Sequence, residues 1–117
     1  MKFYYNGKLI RTSKTHDYKF AAMIDGTCLK CSATKEGAQA EITRLIRDRE
    51  LNIEAKKNAI KAIERGETMF KGRGGHWIKI DPEWHTVENL TKWIECSTQA
   101  IDDIKANAEV VELEARP

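Results

Sequence analysis

The stretch Phe70-Lys-Gly-Arg-Gly-Gly-His-Trp77 holds the residue types that grip a phosphorylated nucleotide. Lys71 and Arg73 supply charge, glycines such as Gly74 and Gly75 let backbone N–H groups approach an anion, and Phe70 and Trp77 offer faces on which a base stacks. The same residues suit a hairpin tip whose two aromatics anchor its base in the core. On side-chain character the core claims Trp77 and a ligand claims Arg73. Neither a P-loop nor a Gly-x-Gly-x-x-Gly spacing is present. A second set of phosphate-capable donors, Lys14, Thr15 and His16, lies in Ser13-Lys-Thr-His-Asp17, where Ser, Thr and Asp serve equally as turn formers. Trp84 and Asn89 stand around the start of a helix, positioned to hold a base edge and a phosphate or simply to cap and cover the helix. Trp93 adjoins Ile94 and reads as core.

Cys28-Leu-Lys-Cys31 has the spacing of a zinc half-site or a redox pair. On a regular strand, residues three apart point to opposite faces, so Cys31 enters the core beside Phe20 and Cys28 points away. No second such pair exists, and His76 and His85 lack the tight spacing of paired ligands. The cysteines therefore read as structural, with no metal and no cofactor. No Gly-x-Ser-x-Gly motif or clustered acids and histidines mark a catalytic centre, and His16-Asp17 is the only adjacent pair. No catalytic residue is assigned, and the chain reads as a binder rather than an enzyme.

These residues are carried by elements whose ends the sequence marks. Lys2 to Thr12 around Asn6-Gly7, and Tyr18 to Ala33 around Asp25-Gly26, predict two β-hairpins over residues 1–33. A two-residue turn in the second sets Ile24 opposite Thr27, Ala22 opposite Leu29 and Phe20 opposite Cys31. Residues 34–66 carry helical spacing from Ala38 through Ile63, with Gly66 as the stop. The stripe thins between Arg47 and Asn52, leaving one helix or two. Arg44, Arg47 and Arg49, interleaved with Asp48 and Glu50, read as a solvated or partner-facing stretch. Residues 67–85 form a glycine-rich hairpin or flap. Thr86 then caps a helix over 86–114 in which Val87, Leu90, Ile94, Ile101, Ile104, Ala108 and Val111 fall three and four apart, with Ser97 as the one polar member. That is a heptad seam. Such a helix is roughly 40 Å long, more than a body of roughly 25 to 30 Å covers, which predicts a homo-oligomer joined through the C-terminal helix unless the helix frays after Lys105.

The 117 residues, 41% apolar and 32% charged, fit a single domain of α+β class: an antiparallel sheet of two N-terminal hairpins packed with two long helical segments and a small hairpin between them. No run approaches the roughly 20 apolar residues of a membrane span, and MKFYYNGK turns polar too soon for a signal peptide; the expectation is a cytoplasmic protein without membrane contact. The net charge of +2 is too small to argue for bulk nucleic-acid binding. Its distribution is uneven, with six basic against two acidic residues in 1–33 and three against seven in 86–117.

The string KFYYNGKLIRTSKTHDYKFA, the two hairpins and the long helices resemble small proteins encoded by phages and prophages, and among them the Thoeris anti-defence sponge proteins. That resemblance implies an oligomer that sequesters a cyclic ADP-ribose-type signal or a cyclic oligonucleotide in an infected bacterium without degrading it. It also implies an aromatic stack on adenine and Arg or Lys on phosphates, for which Phe70, Arg73, Trp77 and Asn89 are equivalents by residue type. The alternatives are a phage nucleic-acid-binding protein that sets its basic hairpins on a polyanion, and an inhibitor of a host enzyme.

Overall fold

A computed structural model describes residues 1–117, and the fold is α+β. In chain order the elements are β1 (Lys2–Tyr5), β2 (Lys8–Thr12), β3 (Phe20–Ile24), β4 (Thr27–Ser32), α1 (Lys35–Glu64), β5 (Met69–Lys71), β6 (Trp77–Lys79), α2 (Val87–Asn107), β7 (Ala108–Glu112) and β8 (Glu114–Arg116). They form two compact units, one of Met1–Leu45 with Asp103–Pro117 and one of Ile46–Asp102. Neither helix is long and apolar enough to cross a membrane.

In the first unit, Asn6 (φ 50°) with Gly7 (φ 76°), and Asp25 (φ 47°) with Gly26 (φ 79°), make the two-residue turns that match strand twist, so both expected hairpins form. Each hairpin gains a third strand from the C-terminal segment: β8 pairs antiparallel with β1, and β7 with β3. One core serves both sheets. Ala21, Met23, Cys31 and Val111 are buried together, and Tyr5 and Ile10 of the first hairpin pack against them beside Tyr18 and Leu113. Ala22, on the opposite face of β3, is fully buried, as is Ala38 of α1.

The C-terminal strands correct the helical reading of 86–114. Helix α2 stops at Asn107, and Ala108 and Val111, the last members of the expected seam, face Ile24 and Ala21 across β3. Backbone pairing along an open strand edge outweighs the helical pattern there. Within the chain Leu90, Ile101, Ile104 and Val111 of that seam are buried, Ile94 is half-buried and Val87 is 41% exposed.

The regular register expected for the second hairpin is also corrected. Ile24 does face Thr27, but Met23 then faces Cys28, Ala22 faces Lys30, Ala21 faces Cys31 and Phe20 faces Ser32. Leu29 is the extra residue of a β-bulge. Residues directly opposite share a face, so Cys28 and Cys31 lie on the same face of β4, the face of Met23 and Ala21. Their Sγ atoms are 3.7 Å apart. Burial, reinforced by the Cys28 thiol, pushes the Cys31 thiol up to about 11 from its ordinary 9.0, while the Arg11 guanidinium pulls the other way.

In the second unit, Ala59 and Ala62 of α1, Phe70 of β5 and Leu90 of α2 form the core, with Ile60, Ile63 and Ile80 against it. Helix α1 is continuous through the thin stretch of its stripe. Thr34 caps its start through Gly37 N–H to Oγ1 at 3.0 Å. At its end, Gly66 (φ 72°) donates to the Ile63 carbonyl and Glu67 to that of Ala62, which satisfies two orphan acceptors. Thr86 caps α2 as expected, accepting from the Asn89 N–H at 3.1 Å.

Ile104→Asp sets an unpaired charge at a residue 6% exposed, so the expected outcome is loss of the cooperative urea transition in circular dichroism rather than a smaller particle that remains folded. The Cys31 thiol keeps its proton to about 11 when folded and to about 9.0 when unfolded. The folded chain therefore holds more protons between these values, and its stabilisation, complete below pH 9, falls as pH rises toward 11. Urea midpoints measured across that window should fall less steeply for Cys31→Ala than for the wild type.

Candidate functional site

The hairpin of the second unit sorts the nucleotide-contact candidates by strand alternation. Phe70 faces Ile78, Lys71 faces Trp77 and Met69 faces Lys79. Phe70 is buried while its partner Ile78 stays 41% exposed, and the other two pairs present Met69, Lys71, Trp77 and Lys79 on the opposite face.

Phe70 is therefore no stacking platform. It is 7% exposed, belongs to the core, and meets the His85 ring edge to face at 5.3 Å. Trp77 reverses the other expectation, since it is 62% exposed rather than an anchor. Lys71 Nζ stands 5.9 Å from the Trp77 ring centroid. Beside them a concavity of about 180 Å³ is lined by Asn58, Lys61, Arg65, Met69, Lys71 and Trp77, among others. A wider depression of about 630 Å³ shares Met69, Trp77 and Glu67 with it. Trp77 thus borders two hollows, one of them rimmed by cations.

Arg73, expected on a phosphate, is held instead by Asp48 of α1, with Nη2 to Oδ1 at 2.5 Å. The glycines are used locally. Gly74 (φ 79°) and Gly75 (φ 83°) take the positive φ that a tight tip needs. The Gly75 N–H donates to the Gly72 carbonyl, and the Gly72 N–H to the His76 carbonyl, so neither is left for an anion. Gly72 is buried, and a Cβ there would collide with Cδ1 of Ile78. Asn58 Nδ2 donates to the Lys71 carbonyl at 3.1 Å and fixes the hairpin on α1.

Trp84 is 58% exposed, and Asn89 Nδ2 donates to its carbonyl at 3.3 Å in the turn before α2. Trp93 departs from its expected place in the core. It is 38% exposed, with Lys56 Nζ 5.9 Å from its ring, at the mouth of a cleft of about 190 Å³ that also takes in Phe70, Arg73 and His85.

Lys14, Thr15 and His16 belong to the first unit, apart from the hairpin set. Ser13 Oγ accepts the Thr15 and His16 N–H groups, and Thr15 Oγ1 and His16 Nδ1 are 2.9 Å apart. The His16 ring lies nearly parallel to that of Tyr18. This is a self-satisfied turn, with Lys14 its exposed cation.

Asn58, Lys61, Arg65 and Met69 were missed by the motif reading. Lys57 and Lys61 of α1 and Arg65, just past its end, recur four apart, a spacing that puts cations on one face. That signal was present in the sequence.

No protein-family model, curated protein or solved structure matches the chain.

Gly72→Ala meets Cδ1 at the far end of the exposed Ile78 side chain, which can turn away, and should lower stability by less than about 1 kcal/mol. Trp77→Ala removes an exposed ring and should move the urea midpoint by less than about 0.5 kcal/mol equivalent. Equilibrium unfolding of the two variants beside the wild type checks both.

Proposed function

We propose that the protein binds a phosphorylated nucleotide without transforming it, and that the ligand is a cyclic ADP-ribose-type or cyclic oligonucleotide signal which it sequesters. The observation that carries this reading is Trp77: a large exposed ring on a two-stranded hairpin tied to α1, with Lys61, Arg65 and Lys71 around the adjoining concavity. A base stacks on the ring while the cations take phosphate oxygens. The lining holds no Ser, Thr, Cys or His side chain, and Glu67 is its one carboxylate. One stacked base is worth about 1–3 kcal/mol and each charge-assisted hydrogen bond about 1.5–3, so two or three contacts support micromolar affinity after association costs. The signal class and the anti-defence role rest on the resemblance to Thoeris sponge proteins.

A second reading, single-stranded nucleic acid, draws on Lys57 and Lys61 of α1 and Arg65 just past its end, which extend the cationic rim.

Calorimetry with cyclic ADP-ribose isomers, cyclic oligonucleotides and short single-stranded DNA at two salt concentrations separates the two. A small ligand meets few phosphates and should bind almost equally at 50 and 200 mM salt, whereas a strand contacting about six to ten phosphates should lose roughly a thousandfold. Trp77→Ala should weaken binding by about 1–3 kcal/mol. Heat-released ligand should be chemically unchanged. Altered ligand, or full affinity in Trp77→Ala, overturns the proposal; steeply salt-dependent DNA binding without small-molecule heat favours the second reading.

A further inference from the structure

The bulge at Leu29 brings three sulfur side chains to one place in the first unit. Cys28 and Cys31 share a face with their Sγ atoms 3.7 Å apart. Met23 sits directly opposite Cys28 in the pairing, on that same face, and is buried in one cluster with Cys31. Tyr5, Ile10 and Tyr18 pack around them and limit water.

We propose that Cys28, Cys31 and Met23 form a binding site for one soft monovalent metal ion, Cu(I). The ligand set selects it. Zinc takes four ligands of nitrogen, sulfur or oxygen in a closed site, and no group of three or more His, Cys, Asp or Glu side chains is assembled in the chain. Cu(I) is satisfied by two thiolates and a thioether, which harder ions bind poorly.

Binding is a proton exchange with no redox step: Cu(I) forms two Cu–thiolate bonds and one bond to the neutral Met23 thioether, the two thiols release two protons to the buffer, and the complex carries one negative charge. Arg11, which acts on Cys31 by charge and by hydrogen bond, is placed to offset that charge.

The test uses the full chain carrying Cys96→Ser, which removes the one exposed thiol and leaves the pair. Reduced, anaerobic protein is titrated into the coloured Cu(I)–bicinchoninate complex. Expected is bleaching that ends at one copper per chain, undiminished by excess zinc. Cys28→Ser, at the half-buried ligand, should abolish copper capture. Met23→Leu conserves core volume and should keep the one-to-one end point with weaker capture. Failure to bleach the complex, one copper shared by two chains, undiminished capture by Cys28→Ser or displacement by zinc each overturns the site. Nucleotide calorimetry on the same protein is independent of these outcomes.

Discussion

Backbone pairing between the two ends of the chain is the constraint on which the first unit depends. Two-stranded hairpins are marginal in water, and each N-terminal hairpin has only two strands of its own. The segment 108–116 supplies both missing partners, β7 to the second hairpin and β8 to the first, with the intervening Leu113 donating its N–H to the Lys19 carbonyl. Val111 and Leu113 reach the shared core only because the segment is extended there. Helix α2 must therefore end in time to free those residues, and its boundary is set by the sheet rather than by any local stop signal.

The legible parts of the fold were those written in a few adjacent residues. Asn6-Gly7 and Asp25-Gly26 tolerate the positive φ that a two-residue hairpin turn requires, and Thr34 and Thr86 have side chains that cap a helix. Residues 108–116 were illegible for the opposite reason. Ala-Glu-Val-Val-Glu-Leu-Glu-Ala is composed largely of good helix formers, and Ala108 and Val111 prolong the apolar spacing of α2. Its strand conformation comes from an edge provided by residues near the start of the chain, which no local window contains.

The candidate site divides in the same manner. Trp77 and Lys71 were singled out by type and stand together because they are opposite one another on two strands. That alternation also turns Phe70 inward, a consequence of strand register that composition alone does not fix. Arg73 was assigned to a phosphate as the obvious cation in a glycine-rich tip. Its partner Asp48 lies 25 residues away on α1, within a run of mixed charge that by sequence alone reads as solvated. Lys61 and Arg65 gave a readable four-residue spacing, but only the folded hairpin sets an aromatic face beside them.

The bulge that unites the cysteines is not peculiar to them. In the first hairpin Tyr5 faces Lys8, Tyr4 faces Leu9 and Phe3 faces Arg11, which leaves Ile10 as the extra residue at the same distance from its turn as Leu29. The inner strands repeat the correspondence toward the C-terminus: Phe3 faces Ala115 where Ala22 faces Val110, and Tyr4 faces Glu114 where Met23 faces Glu109. Both hairpins thus follow one plan, a two-residue turn, two paired positions, a bulge, and a third strand laid along the first. Where the second hairpin has Cys28 and Cys31, the first has Leu9 and Thr12, so the bulge belongs to the hairpin architecture and does not depend on thiols. The sulfur cluster arises from side chains substituted into geometry that the backbone already provides. Exchanging those side chains changes the chemistry of that face, while the pairing within each sheet is carried by the backbone.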